Sequence, residues 1–384
     1  MPYKLSKLQL TNFRNLDNTV LEFNENINCI FGQNGNGKTN ILEAIYYLIN
    51  RKSFRKNTTF PQMISVDSEK PEILFSSLLK DDFSNKTYSG KLSASESSWY
   101  LDNEISKRKI TLDTVFINPF DSYAFHSVPS FRREWIDTHI SKINKKYKTI
   151  LNKYTQSLRF RNTLLAKRPD QYIEQIKVID IQIAEYTCFI SEQRDIFLSE
   201  IKAYCAKTFK KVFHESHELE IKKESKFNSL NVKEIHQIYI DNLEKDVIIG
   251  KTRYGIHRDD YVFHFDGYNS YEFCSLGQQK MSFLSLIFAY IELFRYKFNS
   301  YPIVLIDDVS GELDGPRWKN LIDYLKDKNF QVFITTANQS FREELERIES
   351  STKILVSNGE IEKIWTLKIM RGSSHNGSSP RINF

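Results

Sequence analysis

The hydrophobic and polar positions in the first third of the chain alternate in the manner of strands. Residues 3–31 and 60–118 show a period of about two, which predicts strands in both stretches. The apolar run 27–31 ends at Gly32 and is typical of a buried strand that leads into a turn. Residues 40–50 follow with apolar positions three and four apart, so the pattern predicts a strand, a turn and a helix in succession.

The middle of the chain changes to helical spacing. Over 129–154 the apolar residues recur at steps of three and four, which predicts one long amphipathic helix that ends at 168–170. A second helix is expected over about 171–213. Later in the chain, short β-rich runs at 303–306 and 332–334 lie around helical segments, as in an α/β sheet.

The composition is that of a folded protein with room for roughly two to three domains. The chain has 384 residues, of which 40% are hydrophobic and 14% aromatic, so the disordered and fibrous classes are excluded. Its 4 cysteines form no C-x-x-C pair. The apolar stretch 281–294 is too short to span a bilayer, and residues 1–5 show no signal-peptide core. We therefore expect a soluble, cytoplasmic protein without a membrane partner, and a disordered tail over 371–384.

A glycine-rich segment between the predicted strand and helix matches the phosphate-binding pattern G-x-x-x-x-G-K-[ST]. Its glycines allow backbone N–H groups to point at phosphates, and the following helix adds its positive N-terminal end. In this pattern Lys38 reaches the β- and γ-phosphates, and Thr39 supplies a hydroxyl to Mg²⁺. The sequence therefore predicts a site for ATP and Mg²⁺, with Lys38 taking part in catalysis. The predicted nucleotide-binding residues of this segment are Gly32, Gln33, Asn34, Gly35, Asn36, Gly37, Lys38 and Thr39.

Two carboxylates follow the apolar strand predicted at 303–306. Asp307 is expected to hold Mg²⁺ together with Thr39, and Asp308 to orient or deprotonate the water that attacks the nucleotide. Taken alone, an acidic turn after a strand explains the same two residues. The phosphate-binding segment upstream is what favours the functional interpretation.

A Ser-x-Gly turn precedes the apolar helix that contains 281–294. Ser275, Gly277 and Gln278 offer a hydroxyl, free N–H groups and a helix dipole, which together suit an anion such as the γ-phosphate. An ordinary helix N-cap is the plainer alternative. The order of phosphate loop, Ser-x-Gly turn and two-carboxylate strand is that of ABC-type ATPases. In those proteins the turn of one subunit closes on the ATP held by another.

A strongly basic segment lies within the predicted helices. Residues 130–168 contain 11 basic and 2 acidic side chains, a local charge of +9 in a chain whose net charge is +6. Such a helix can hold DNA phosphates without reading bases, although a solvated helix face is the usual explanation for a run of charge. We expect binding that depends on salt and on DNA form rather than on sequence. The candidate DNA-binding residues are Arg132, Arg133, Lys142, Lys145, Lys146, Lys148 and Lys153.

Six further motifs, in order along the chain, resemble those of the RecF family of bacterial recombination proteins. They lie at 8–15, 53–55, 129–137, 255–260, 307–314 and 331–336. Each motif is weak alone, but six in order with the phosphate loop are specific, and the likeness covers nearly the whole chain. The sequence departs from the family at Ile256, Val128 and Gly311, where the family has Pro, Gly and Ser. Ala337 stands where ABC transporters usually place a switch His, and with Gly311 it argues against rapid hydrolysis.

The resemblance implies a fold, a mechanism and partners. The fold would be an α/β ABC-type P-loop ATPase head, with a mixed sheet and flanking helices, into which a helical lobe is inserted. The head would comprise 1–125 and 251–370, and the basic lobe 126–250. The resemblance also implies ATP-dependent homodimerisation, binding to single-stranded, gapped and double-stranded DNA, and weak DNA-stimulated ATP hydrolysis used as a switch. It further implies help in loading RecA at gaps during the SOS response, with RecR and RecO as partners.

Three other classes of protein are open alternatives. The soluble ATPase subunit of an ABC transporter would carry a switch His and a surface for membrane helices. An SMC-like structural ATPase would carry a long coiled coil, for which 235 residues between Thr39 and Ser275 leave too little room. A nuclease fused to such an ATPase would carry an acidic cluster outside the ATP site.

The Arg-Asp-Asp turn at 258–260 has two interpretations. It suits a contact with ATP or with a partner subunit, or a structural turn held by ion pairs.

Overall fold

The computed structural model describes residues 3–118, 120–215, 217–308, 313–327 and 329–366. The strands are β1 (Lys4–Thr11), β2 (Thr19–Glu22), β3 (Ile27–Phe31), β4 (Ile73–Lys80), β5 (Asn85–Leu92), β6 (Ser97–Leu101), β7 (Glu104–Ile105), β8 (Thr114–Ile117), β9 (Leu219–Glu224), β10 (Asp260–Phe265), β11 (Tyr268–Asn269), β12 (Ile303–Ile306), β13 (Val332–Thr336), β14 (Thr352–Ser357) and β15 (Glu360–Thr366). The helices are α1 (Lys38–Asn50), α2 (Phe60–Met63), α3 (Asp121–Ser127), α4 (Pro129–Ile143), α5 (Lys145–Lys167), α6 (Tyr172–Phe213), α7 (Val232–Ile249), α8 (Ser270–Phe273), α9 (Leu276–Phe298), α10 (Gly315–Lys326) and α11 (Gln339–Glu346).

The chain folds into two compact units, the second of which interrupts the first in sequence. The first unit comprises Met1–Phe116, Ile303–Ser310 and Leu325–Phe384, and the second comprises Ile117–Pro302 and Gly311–Tyr324. Residues 251–302, which the resemblance places in the ATPase head, belong to the second compact unit. The functional boundaries after residues 125 and 250 stay a prediction.

The first unit contains two sheets with a helix between them. One sheet is antiparallel, in the order β2-β1-β4-β5-β6-β7, and the other is mixed, in the order β15-β14-β3-β13-β12-β8. Ile41, Leu42 and Ile45 of α1 belong to one apolar core with residues from strands of both sheets. The strands predicted over 3–31 and most of 60–118 are therefore present, and β3 and α1 follow in the predicted order.

The parallel strands of the mixed sheet bring two distant segments of the chain to the same edge. β3, β13 and β12 are neighbours and run parallel, and the register pairs Phe31 with Thr336 and Ile306 with Ile334. All three strands are buried along their length, which explains their continuous apolar runs. The residues that follow Phe31 and Ile306 therefore start from neighbouring positions, where parallel α/β sheets bind ligands.

The second unit is built mainly from helices and one small sheet. The strands β11, β10 and β9 pair antiparallel in that order. Helix α6 is 42 residues long, spans about 62 Å, and packs against α5, α7 and α9. It confirms the helix predicted over about 171–213.

The single helix predicted over 129–154 is wrong, because the structure has two helices there. α4 ends at Ile143 and α5 begins at Lys145, and Asn144 between them has φ = −136° and ψ = 101°, outside the helical region. The Asn144 side chain accepts a hydrogen bond from the Tyr147 N–H at 3.0 Å and so caps α5. The apolar spacing continues across this break, so periodicity alone did not reveal it.

Two fully buried arginines connect the helices of the second unit. Arg161 on α5 forms ion pairs with Asp180 on α6 at 2.6 Å and Asp246 on α7 at 2.7 Å. Arg194 on α6 pairs with Asp259 of the Arg-Asp-Asp turn at 2.9 Å. The buried pair at Asp259 favours the structural interpretation of that turn. Removing one partner of such a pair leaves an uncompensated buried charge, which costs about 3–5 kcal/mol.

Candidate nucleotide site and basic helix face

The loop 32–37 joins β3 to α1 and contains positions that only glycine fits well. Gly37 caps α1 with φ = 105°. A Cβ on Gly32 would lie 2.4 Å from the carbonyl oxygen of Val356, so a side chain has no room there. The N-terminal end of α1 adds the partial positive charge that favours phosphate. The strand, loop and helix of a phosphate-binding loop are thus in place.

Lys38 lies inside this loop rather than in solvent. Its side chain is buried, and Nζ donates to the carbonyl oxygens of Gly32 at 2.8 Å and Gln33 at 2.9 Å. Burial lowers the pKa of Lys38 below its ordinary value, while Asp308 and Asp307 act in the opposite direction. The ammonium group therefore rests on neutral carbonyls, close to two carboxylates, in a position suited to an anionic ligand.

Asp307 follows β12 and binds the threonine of the phosphate loop. Thr39 Oγ1 lies 3.0 Å from each Asp307 carboxylate oxygen, and Thr335 Oγ1 on β13 donates to Oδ1 at 2.8 Å. Burial raises the pKa of Asp307, and the hydrogen bonds from Thr335 and Thr39 oppose that rise. A carboxylate beside a hydroxyl is the hard oxygen donor set that Mg²⁺ prefers, so these residues fit the ion. Thr39 and Asp307 were predicted from the sequence, whereas Thr335 was not.

Asp308 has an unusual backbone conformation. Its φ is 40°, in the left-handed region that residues with a Cβ seldom adopt, and its N–H donates to Thr335 Oγ1 at 3.0 Å. Such conformations cost about 1–3 kcal/mol and cluster at functional sites. Val309, Gly311 and Glu312 of the same motif, and the tail predicted at 371–384, lie outside the described residues.

The turn between β14 and β15 holds the phosphate loop from another side. Asn36 accepts a hydrogen bond from the Gly359 N–H at 3.0 Å and donates through Nδ2 to the Val356 carbonyl at 3.3 Å. A cavity of about 550 Å³ lies beside the loop, lined also by Arg342 and Glu362. Its volume is in the range of small-ligand sites.

A buried carboxylate near the loop was not singled out in the sequence. Glu43 on α1 is fully buried and accepts hydrogen bonds from Arg14 at 2.8 Å and Ser53 at 2.6 Å. Arg55 forms an ion pair with the same carboxylate at 3.1 Å and donates to Asn40 at 2.8 Å. Two guanidinium groups thus share one carboxylate, which leaves excess positive charge beside the first turn of α1. The one sequence signal for this cluster was the resemblance of 8–15 and 53–55 to the family motifs.

The Ser-x-Gly turn forms the start of α9 in the second unit. Ser275 Oγ accepts from the Gln278 N–H at 3.3 Å, and Gln278 Oε1 accepts from the Ser275 N–H at 2.9 Å, which together make a capping box. Gly277 lies near Arg317, since a Cβ there would be 3.8 Å from Nη1. Arg317 was not identified from sequence, and it pairs with Asp314 at 3.1 Å. The turn is therefore an ordinary helix N-cap, and Ser275 is also exposed, so that it is accessible to an anion.

The two arginines predicted to bind DNA do not lie on an open surface. Arg132 is buried, pairs with Asp260 through two hydrogen bonds of 2.8 Å, and donates to the carbonyls of Phe125 and His126. Arg133 is half-buried and donates to the Asp259 carbonyl at 2.9 Å. Because its guanidinium is already fully engaged, Arg132 is unsuited to phosphate contact.

The lysines of α5 lie on its exposed face. The helix contains 7 basic and no acidic residues, and Arg161 is the buried one among them. Lys146 lies with Nζ 4.9 Å from the ring centroid of Phe189, and Lys142 on α4 is half-buried. Between its first and last residues the helix spans about 33 Å. The exposed basic residues of α5, hereafter the α5 basic face, are Lys145, Lys146, Lys148, Lys153, Arg159 and Lys167.

The fold and the loop geometry define the chain as a P-loop ATPase head of the ABC and SMC type. Residues 4–359 match the model of the RecF/RecN/SMC N terminal domain family. The Smc head domain of Pyrococcus furiosus shares this fold, with a TM-score of 0.56 at 16% identity over 96% of this chain and 97% of that one. The predicted fold class is therefore confirmed. No helix within the described ranges is both long and apolar enough to cross a membrane.

Two similar proteins identify the family to which the chain belongs within this class of ATPase heads. The chain is 31% identical to the DNA replication and repair protein RecF of Clostridium kluyveri, over 93% of this chain and 99% of that protein. It is 27% identical to the recombination mediator protein RecF-ATP in the RecFOR pathway, with a TM-score of 0.78 and coverage of 94% of this chain and 99% of that one. The chain belongs to the RecF family, as the sequence motifs predicted.

Proposed function

We propose that this protein is an ATP-dependent DNA-binding protein of recombinational repair, in which the bound nucleotide acts as a switch. The observation that carries the proposal is the phosphate loop, where Lys38 Nζ bonds two loop carbonyls and Thr39 bonds Asp307. The relative described as RecF-ATP supports ATP as the ligand. The relatives named as DNA replication and repair proteins support the role in repair.

The positions of the loop residues support a role for each of them. The backbone of 32–37 and the N-terminal end of α1 would hold the phosphates, and Lys38 would exchange its carbonyl partners for β- and γ-phosphate oxygens. Thr39 and Asp307 would hold Mg²⁺, which when bound neutralises charge on the phosphates. Asp308 follows them and would orient the attacking water.

Dimerisation would complete the site. Ser275, Gly277 and Gln278 form the N-terminal turn of α9, with Ser275 exposed, and we propose that this turn of one subunit contacts the γ-phosphate held by the other. Hydrolysis would then release the pair. Ala337, where a switch His is usual in transporters, supports slow hydrolysis suited to a switch.

The α5 basic face would contact DNA phosphates, with Arg133 and Lys142 of α4 at its margin. This face carries no carboxylate, and phosphate contacts do not depend on base sequence. We therefore propose binding to single-stranded, gapped and double-stranded DNA without sequence specificity. RecR and RecO are proposed as partners in the loading of RecA at gaps, because a relative is described within the RecFOR pathway.

Dimerisation measured with and without ATP tests the nucleotide switch. Lys38→Ala should abolish the ATP-dependent dimer in analytical ultracentrifugation, because the loop loses its phosphate-binding ammonium group. Lys52→Ala is the control, since Lys52 is exposed just beyond α1 and carries the same charge. An unchanged dimer population in Lys38→Ala would remove the phosphate-loop assignment. The same measurement with gapped, single-stranded and blunt duplex DNA separates this proposal from a transporter subunit, which should ignore DNA.

A further inference from the structure

A second cavity lies in the second unit, and no residue of the phosphate loop lines it. Its volume is about 600 Å³, within the range of sites for small ligands. It is lined by the segment that follows β9 and by the segment that leads into β10. The lining residues used below are Glu224, Lys226, Phe227, Arg253, Tyr254 and Arg258.

The charge of this cavity is positive and largely uncompensated. Lys226, Arg253 and Arg258 are exposed, and within the part of the chain that the structure describes none of them forms an ion pair. Asp259 also lines the cavity, but its buried carboxylate is already paired with Arg194. Glu224 is then the exposed carboxylate that opposes three cations. The cavity therefore suits an anion.

An aromatic ring stands among these cations. Tyr254 is half-buried, with Lys226 Nζ 4.2 Å and the Arg253 guanidinium carbon 5.6 Å from its ring centroid. Both cations belong to exposed, flexible side chains, so either can give way to another partner of the ring. Phe227 is buried beneath the cavity and stacks on Tyr239. In proteins that bind single-stranded nucleic acids, an aromatic ring stacks on a base and neighbouring cations bind its phosphate.

The cavity is attached directly to the helix that carries the α5 basic face. Asn162 on α5 accepts hydrogen bonds from the N–H of Thr252 at 2.8 Å and from its hydroxyl at 2.7 Å. Tyr154 on α5 bonds His257 Nδ1 at 2.9 Å. Residues 253–256, which include Tyr254, therefore lie between two anchors on α5. The segment that lines the cavity is thus anchored to the helix that carries the α5 basic face, through the buried Tyr154 and the half-buried Asn162.

We propose that this cavity binds an unpaired nucleotide of a DNA strand, with its base on Tyr254 and its phosphates on Arg253, Lys226 and Arg258. A duplex presents phosphates to such a cavity but keeps its bases stacked inside, so the Tyr254 ring discriminates for single-stranded DNA. The inference rests on the proposed DNA-binding function and adds to it a means of recognising where a duplex ends.

Replacing the ring tests this site without changing charge. Tyr254→Leu should weaken binding of a fluorescent 20-nucleotide oligo-dT about 5- to 150-fold, the effect of losing one stacked base. It should weaken binding of a duplex with a dT tail as well, and change the affinity for a blunt 20-base-pair duplex less than about twofold. Tyr254→Phe keeps the ring and should bind these DNAs like the wild type. Tyr268→Leu is the matched control, because it removes an exposed tyrosine elsewhere in the unit, and it should also bind like the wild type.

The outcomes distinguish failure of the Tyr254 nucleotide site from failure of the proposed DNA-binding function. Unchanged dT affinity in Tyr254→Leu, or an equal loss for tailed and blunt duplexes, would overturn the nucleotide site. If α5 lysine variants still lose duplex binding in that case, the proposed function stands. Failure of the wild type to bind any of these DNAs would overturn both. Free dTMP is compared with unlabelled oligo-dT at an equal concentration of nucleotides as a competitor of the fluorescent oligo-dT. If dTMP displaces it equally well, the cavity binds free nucleotides and the proposed recognition of a DNA strand is overturned.

A charge variant gives an independent readout that does not depend on a half-buried ring. Arg253→Ala alters an exposed side chain, and it should make the salt dependence of dT binding shallower by about 0.7 in the slope of log K against log salt. The blunt duplex slope should stay the same. An unchanged dT slope would mean that Arg253 contacts no phosphate and would overturn the proposed arrangement.

Discussion

The α5 basic face makes a quantitative prediction about salt. Lys145, Lys148 and Lys153 are exposed on one helix that carries no carboxylate, and they can be changed together to alanine. Alanine keeps the helix intact, because it has the highest helix propensity. The change lowers the net charge of the chain from +6 to +3.

The magnitude follows from the number of phosphate contacts. If five of the six cations of the α5 basic face contact duplex DNA, the three replaced lysines among them, the slope of log K against log salt is about −4.5, and with two contacts left it is about −1.8. Raising the salt from 50 to 200 mM should then weaken wild-type binding about 500-fold, but variant binding only about 12-fold. Over about 33 Å of helix a duplex offers ample phosphates for five contacts.

The assay is fluorescence anisotropy with a blunt duplex at several salt concentrations. Lys52, Lys70 and Lys107→Ala is the matched control, because these lysines are exposed in the first unit and their loss gives the same net charge. The control should keep the wild-type slope. Equal salt slopes for the α5 variant and the wild type, or equal effects of the two triple variants on DNA binding, would refute the reasoning. The α5 basic face would then be a solvated helix surface without a role in DNA binding.

Three further predictions concern the nucleotide site and the stability of the fold. Asp308→Asn should give a long-lived ATP-bound dimer, and rapid hydrolysis by that variant would show that another residue activates water. Glu43→Gln leaves two guanidinium groups without their buried carboxylate and should lower the free energy of unfolding by about 3 kcal/mol in urea denaturation; an unchanged midpoint, as expected for exposed Glu104→Gln, would contradict this. Burial lowers the pKa of His126 to about 4, so below pH 6.5 the unfolded chain binds a proton that the folded chain does not. Stability should therefore fall by up to about 3 kcal/mol as the pH drops from 6.5 to 4. His126→Gln should make that part of the thermal unfolding profile shallower but not flat, because burial also lowers the pKa of His257 to about 4. An identical profile would contradict the assignment.

The geometry of the candidate phosphate site was predictable because its information is local. Loop 32–37, the helix that follows it and the strand before Asp307 each depend on a short run of residue types. The pairing of Thr39 with Asp307 also followed, since parallel strands end at a common edge. Thr335 was missed because the hydroxyl of a threonine in an apolar strand is an ordinary feature until its partner is known.

The helical unit was predicted less well because its decisive contacts are distant in sequence. Asn144 interrupts the predicted helix through a single side-chain cap, which leaves the apolar spacing undisturbed. Arg132 was assigned to DNA on charge alone, and its carboxylate partner Asp260 lies 128 residues away. A count of charges in a segment cannot contain that information.

The burial of two arginines in the basic segment nevertheless has a signal in the sequence. Tyr147, Tyr154 and Arg161 recur every seven residues, so Arg161 shares the buried side of α5 with two tyrosines. Arg132 likewise precedes the buried Trp135 and Ile136 by three and four positions. A planar guanidinium suits two-point pairing with a buried carboxylate, whereas a lysine on the polar side keeps its ammonium group in water. Position relative to the apolar stripe therefore separates structural from exposed cations, and the charge available to DNA on α5 is that of its polar side alone.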